Sequence, residues 1–249
     1  MKPTPIIAAD IGNTSTTIAH MRGLEVISEF DVSSHALVKD VHDALVANKV
    51  DTRLPLVIAS VNPKGADMLE FAWRAMAGSK IVLLGRDLIV PIANKTKPPE
   101  KTGQDRLVNA LAAKRRCGKD AIVVDFGTAI TFDVLKNGAY EGGVITPGIG
   151  LAMEALHQKT ALLPLVRPQG RPPVVGHDTE SAINAGVFYG YVGLVDNILR
   201  ELTKTYKTKP AVLATGGYGA QIAPEIKAIN EVLPHLTHEG IALAFASGK

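Results

Sequence analysis

Apolar positions along the chain fall into short runs separated by polar turns, and the spacing inside each run predicts its element. Residues 5–9 are an apolar run of strand length, ended by Asp10 and a turn at Gly12-Asn13. Residues 16–21 read as its hairpin partner and the alternating residues 24–32 as a third strand. Between 34 and 49 the apolar side chains stand at 37, 38, 41, 45 and 46, a helical spacing. A strand (54–61), a helix closed by glycine (66–78) and another strand (80–85) follow. A polar loop bearing proline and glycine, 94–106, then leads into a Leu- and Ala-rich helix over 106–116.

The scheme restarts at residue 121. Residues 121–124 are an apolar strand, "DFGTAIT" (125–131) a turn, 130–135 a second strand, Asn137-Gly138 a tight turn and 139–145 a third strand. Helices near 150–159 and 179–203, a strand at 210–217 and a short helical end complete the pattern. Asp125 stands 115 residues after Asp10, and each carboxylate ends the apolar strand that opens a three-stranded antiparallel unit. This repeat predicts an α/β protein of two similar domains, 1–117 and 118–249. The domains are expected to face one another, with both carboxylates turned into a shared cleft.

Composition narrows the partners. Hydrophobic residues at 46% and charged residues at 20% suit packed cores rather than global disorder, and aromatics at only 5% leave those cores to Ala, Val, Ile and Leu. Net charge is +3, and the basic cluster "KRRCGK" (114–119) has no aromatic residues among its charges. It reads as a solvated helix end, so no nucleic-acid partner is expected. Cys117 is the only cysteine, which precludes an intramolecular disulfide and suits a reducing compartment. The apolar stretch before Asp10 is too short for a signal-peptide core, and no window approaches the ~18 apolar residues of a membrane span. A cytoplasmic protein with no membrane partner is expected.

The two Asp-Gly turns carry the first candidate chemistry. Glycine removes the Cβ that would block close approach, and neighbouring N–H groups in such a turn form a nest for an anion. Thr14, Ser15 and Thr16, or Thr128 and Thr131, add hydroxyl donors. Asp10 and Asp125 repel phosphate directly, so they make sense with cations between them and the phosphates. The alternative for each is an aspartate capping its own turn, and recurrence at equivalent places favours the shared functional reading. Neither turn is a Walker A loop, for no Gly-Lys-Ser/Thr follows a four-residue spacer.

A second signal is "TGQDRLVNALAA" (102–113), where Asp105 and Arg106 stand as a glycine-bearing loop enters a helix. A carboxylate there caps the helix and is favoured by its dipole. Equally, Asp105 could accept a proton from a substrate hydroxyl while Arg106 binds an anionic group; local sequence leaves both open. "GGVITPGIG" (142–150) and "ATGGYG" (214–219) are glycine clusters suited to backbone lying close to a ligand. The histidines form no HExxH motif or Cys/His cluster, and no G-x-S-x-G occurs. No G-x-G-x-x-G follows the first strand, which counts against a dinucleotide fold.

Taken together, "DIGNT" (10–14), "GQDR" (103–106), "DFGTAIT" (125–131), "GGVITPG" (142–148) and "GHDTESAINAG" (176–186) resemble, in order, the motifs of type III pantothenate kinases. "ASVNP" (59–63), "TALLP" (160–164) and "ATGG" (214–217) match the same family, so the resemblance runs from about residue 6 to 217. It implies the superfamily of actin, sugar kinases and heat-shock chaperone ATPases, with two ribonuclease-H-like domains around an ATP cleft. The implied reaction moves the ATP γ-phosphoryl group to the primary hydroxyl of pantothenate, giving 4′-phosphopantothenate, the first committed intermediate of coenzyme A synthesis.

Carried over by residue, the resemblance makes Asp10, Ile11, Gly12, Asn13, Thr14, Ser15, Thr16 and Thr17 the first phosphate loop, with Asp10 near Mg2+. Gly103, Gln104, Asp105 and Arg106 line the pantothenate site, and Asp105 is the general base. Asp125 binds a monovalent cation (K+ or NH4+), Thr128 contacts ATP phosphate and Thr179 contacts pantothenate. Members are homodimers. One departure stands out: relatives usually carry a tyrosine seven residues before the glycine of GxDR, where this chain has Thr96, leaving less apolar cover over the substrate. Another small-molecule kinase of the superfamily and a non-catalytic nucleotide-binding regulator are the alternative readings.

Overall fold

The first apolar run forms β1 (Pro5–Ile11), which with β2 (Ser15–Arg22) and β3 (Glu25–Ser33) makes an antiparallel meander. After α1 (Val38–Ala47), β4 (Leu56–Ser60) pairs parallel with β1; after α2 (Pro63–Ala75), β5 (Ile81–Leu83) pairs parallel with β4. The sheet order is β3-β2-β1-β4-β5. The computed structural model describes residues 4–168 and 170–248.

β1 is central and buried on both faces, which is why it reads as a continuous apolar run rather than an alternating one. Its alternation still sorts the core. Ile6 and Ala8 pack with Leu107, Val108 and Ala110 of α3 (Gln104–Cys117), whereas Ile7, Ala9 and Ile11 pack with Val41, Leu45, Leu69 and Trp73 on α1 and α2. Truncating a fully buried Leu45 or Ile58 here costs about 2–5 kcal/mol. The helix expected from residue 34 begins instead at Val38. Ser34 prolongs the sheet edge, its N–H donating to Thr14 O (3.0 Å) and its hydroxyl lying 3.0 Å from Thr16 Oγ1. Leu37 and Val46, counted in the helical pattern, stay exposed, while Val41 and Leu45 are buried.

β6 (Ala93–Asn94) pairs parallel with the first residues of β9 (Ala139–Pro147). The preceding strands β7 (Ala121–Phe126) and β8 (Ala129–Lys136) form the second antiparallel hairpin. α4 (Ile149–Lys159) and α5 (Thr179–Thr203) follow, then β10 (Ala211–Thr215), the one-turn α6 (Gly219–Ile222) and β11 (Glu231–Val232). β10 pairs parallel with both β7 and β11, giving the six-stranded order β6-β9-β8-β7-β10-β11. Apart from the added edge strand β6, that is the order of the first sheet. Ile122, Val124 and Phe126 of β7 pack on Phe188, Tyr191, Val195 and Leu199 along one side of α5.

The last helix, α7 (Leu236–Ser247), packs with β1: Ile241 and Ala244 join the core containing Ile6 and Ala8. Among described residues, one compact unit therefore holds 4–116, 138–140 and 235–248, and the other holds 117–137 and 141–234 without residue 169. Among the described residues no helix is long and apolar enough to cross a membrane.

Candidate active site

In the first unit, the turn between β1 and β2 is closed by the Gly12 N–H donating to Ser15 O at 3.0 Å. Asp10 is half-buried one residue before the end of β1, opposite Thr17 and beside Ala59 of β4. Asn13, Thr14 and Ser15 are exposed at the tip. Thr16 and Thr17 differ from them. The Thr16 hydroxyl is buried against Ser34, and the Thr17 hydroxyl donates to Asp31 Oδ1 at 2.6 Å. Those two side chains brace the turn, and the exposed residues at its tip are Asn13, Thr14 and Ser15. Behind them His238 of α7 sets its Nε2 3.3 Å from Thr17 O, and burial pushes that imidazole pKa down.

The helix expected from residue 106 starts two residues earlier, so Gln104, Asp105 and Arg106 form its first turn. Asp105 Oδ1 accepts the Arg106 N–H at 2.8 Å and folds back over Gly103, where a Cβ would overlap that oxygen and come 3.0 Å from Val61 Cγ1. Only glycine fits there. Desolvation raises the Asp105 pKa, and the Arg106 N–H and guanidinium oppose the rise without cancelling it. The Gln104 amide packs on Gly85, whose φ is +85° and whose missing Cβ would lie 2.7 Å from Gln104 Nε2. The Arg106 guanidinium lies over the Tyr140 ring, 5.7 Å from its centre, a cation–π contact.

Thr96 lies seven residues upstream. Its hydroxyl is not turned out as a pocket wall but is bound to Asn94 Oδ1 (2.9 Å) and Thr102 Oγ1 (2.6 Å).

In the second unit, Asp125 sits near the end of β7, half-buried, opposite Thr131 and beside Thr215 of β10. Gly216, φ +88°, lies against its carboxylate, and Gly127 flanks it with room for a Cβ only 3.4 Å from Oδ1. Thr128 is exposed on the turn, and its carbonyl accepts the Gly148 N–H at 3.0 Å. Gly148 admits no Cβ, because Thr128 O and Gly127 O occupy that place. The Tyr191 hydroxyl, 3.0 Å from Pro147 O and 3.1 Å from Gly148 O, ties the same strand end to α5. Gly148 and Gly216, one from each of the glycine-dense segments 142–150 and 214–219, are thus packed against the Asp125 turn.

Thr179 is the first residue of α5, exposed, after Asp178 caps the helix by accepting the Ser181 N–H at 2.8 Å. It stands at the rim of an open apolar hollow of about 1240 Å³ between α4 and α5. Leu151, Leu156, Ala182, Gly186 and Gly190 line it, and nothing within 4 Å would meet a Cβ at either glycine.

Sequence reading had no access to Gly216 as the neighbour of Asp125, to Tyr140 beneath Arg106 or to the partners of Thr96. Each is a contact between segments distant in the chain. The only local signals were the glycine cluster at 214–219 and the polar composition of the loop before α3.

A five-stranded sheet and a six-stranded sheet that repeats its order beyond β6, each with an aspartate near the end of the strand that opens it (β1 or β7), make an α/β fold of the actin and sugar-kinase type. Solved structures bear this out at the level of fold. A Baf family protein from Campylobacter jejuni superposes with a TM-score of 0.63 at 18% identity, over 98% of both chains. A ROK family glucokinase from Streptomyces griseus, in complex with glucose and AMPPNP, gives 0.54 at 12% identity, over 97% of this chain and 99% of the other.

Sequence is more specific. The profile of the type III pantothenate kinase family matches residues 6–201. A type III pantothenate kinase of Persephonella marina is 37% identical over 246 residues, covering 95% of this chain and 96% of the relative. The chain belongs to the type III pantothenate kinase family.

Proposed function

We propose that this chain transfers the γ-phosphoryl group of ATP to the primary hydroxyl of pantothenate, giving 4′-phosphopantothenate for coenzyme A synthesis. The family match over residues 6–201 carries this reading. Asp105 supplies its chemistry. A primary alcohol is a poor nucleophile until a positioned base takes its proton. Burial makes the Asp105 carboxylate a stronger base than a solvated one, and the Arg106 N–H holds its Oδ1 in place.

Arg106 takes the anionic end of pantothenate, Gly103 and Gln104 line the same pocket, and Thr179 contacts the substrate. Asp10, Ile11, Gly12, Asn13, Thr14, Ser15, Thr16 and Thr17 form the first phosphate loop, and Thr128 contacts phosphate from the second. In a loose phosphoryl-transfer transition state, positioning and charge neutralisation provide most of the rate.

The carboxylates suit the cations this chemistry uses. Among the described residues no three His, Cys, Asp or Glu side chains are grouped so as to hold a metal ion by themselves. Magnesium carried with ATP asks for only one or two carboxylates beside phosphates and water, and Asp10 is of that kind. When bound, magnesium offsets the charge of the β- and γ-phosphates. Asp125 takes the monovalent cation, potassium or ammonium. In this reading the two sheets belong to ribonuclease-H-like domains that divide near residue 117, an assignment supported by their common strand order. The chain works as a homodimer, for which the apolar hollow between α4 and α5 is the supporting feature.

The test is product formation with ATP, magnesium and potassium across a panel of alcohols that includes pantothenate and sugars. Formation of 4′-phosphopantothenate is expected; phosphorylation of a sugar with pantothenate untouched would overturn the assignment.

A further inference from the structure

The loop that leads into α3 is closed by three side chains. Thr96 Oγ1 donates to Asn94 Oδ1 at 2.9 Å, and the Thr96 N–H reaches the same oxygen at 3.1 Å. Asn94 Nδ2 donates to Thr102 Oγ1 at 3.1 Å and to Pro99 O at 3.1 Å. Thr96 and Thr102 lie 2.6 Å apart through their hydroxyls. A hydroxyl has one proton, and that of Thr96 is committed to Asn94, so Thr102 donates to Thr96. The result is a closed ring: Thr96 to Asn94, Asn94 to Thr102, Thr102 to Thr96. Both amide protons and both lone-pair directions of Asn94 are used, which also fixes the orientation of its amide.

The ring bears on the catalytic helix from two sides. Thr102 is followed directly by Gly103, the residue over which the Asp105 carboxylate folds with no space for a Cβ. Asn94 pairs with Tyr140, the adjacent Lys95 N–H donates to Tyr140 O at 2.9 Å, and the Tyr140 ring lies beneath Arg106. A half-buried ring with all its groups satisfied is stiff, and a loop of this length would otherwise have many conformations to lose. We infer that the Asn94–Thr96–Thr102 ring is a positioning device for the reaction, holding Asp105 and Arg106 in register with the substrate, and that Thr96 is a positioning residue rather than a pocket wall.

This role presupposes pantothenate phosphorylation with Asp105 as base. The experiment separates the two: wild-type protein that ignores pantothenate defeats the kinase reading, whereas active wild type with an equally active Thr96→Val defeats the ring alone. Thr96→Val keeps the shape and removes the hydroxyl. It is expected to lower kcat for pantothenate by about tenfold or more, as small misplacements of reacting groups do, with the KM for ATP and the Tm little changed. Its acid limb of kcat should move to lower pH, because a loosened Asp105 regains water; a variant that is merely less folded would lose amplitude without moving the limb. Thr96→Ser should restore both.

Thr102→Ala breaks the ring at another corner and should give the same phenotype, with the double variant no worse than either single one. Additive losses, or an unmoved acid limb in folded variants, would overturn the inference. So would unfolding of both variants beside a sound Thr96→Ser, since the ring would then be holding the loop and not the carboxylate.

Discussion

Gly216 lies directly against the carboxylate of Asp125. A Cβ on Gly216 would overlap Asp125 Oδ1 and stand 2.6 Å from Phe126 N, and the residue has φ +88°. Gly216→Ala therefore combines a left-handed alanine, costing about 1–2 kcal/mol, with displacement of the aspartate proposed to hold the monovalent cation. Expected are a lower Tm in thermal melts and a loss of potassium-activated turnover of about a hundredfold, the scale of an ångström-sized misplacement. Wild-type potassium activation in the variant would sever Asp125 from this role.

Replacing potassium by sodium should suppress turnover for the same reason, with ammonium active in its place. Initial rates in matched chloride salts measure this, and equal rates in sodium would refute it.

Asp105→Asn should lower turnover by about a hundredfold or more, the contribution of a general base, with ATP binding retained. Stability should move the other way. The folded-state pKa of Asp105 is raised, so its neutral form suits the fold, and the stabilisation this gives is present below the ordinary carboxylate range and lost as pH rises through the folded value. At neutral pH the wild type bears the whole cost of a desolvated charge. Asp105→Asn is expected to melt higher than wild type at neutral pH, with the gap closing on acidification. A lower Tm at every pH would contradict the burial argument.

Leu151 and Leu156, 45% and 37% exposed, line the hollow between α4 and α5. If a second copy covers this face, Leu156→Glu should halve the mass measured by light scattering and leave the helical circular dichroism unchanged. A wild-type protein that is monomeric at micromolar concentration would remove the homodimer from the proposal.

Much of this was legible in the chain because its signals are local. The strand–Asp–turn pattern depends on a few successive residues, and β1, β2, β7 and β8 lie where the apolar runs predict. Where the pattern misled, tertiary contacts had overridden it: Ser34 holds the sheet edge through Thr14 and Thr16, so α1 begins late. Two-residue strands such as β6 and β11 are too short to have a period. At the candidate site, the GQDR and DFGT motifs were visible, but what surrounds them was not. Gly216 reaches Asp125, and Tyr140 reaches Arg106, only once the sheets have formed. Thr96, read as a lost piece of apolar cover, proves to be a hydrogen-bonded corner of the loop.

The packing of α7 has a consequence for biogenesis. Gly240 sits so close to Val108 that any Cβ would overlap its carbonyl, and Ile241 and Ala244 fill the same core as Ile6 and Ala8. A ribosome releases residues 236–247 only after all of the second unit, so until then the side of the first sheet that carries Ile6 and Ala8 has α3 but lacks α7. The usual vectorial order, first made and first folded, is therefore incomplete for the first unit until its last helix emerges, and a nascent chain stalled before residue 236 would leave the surface that Gly240, Ile241 and Ala244 cover open to chaperones.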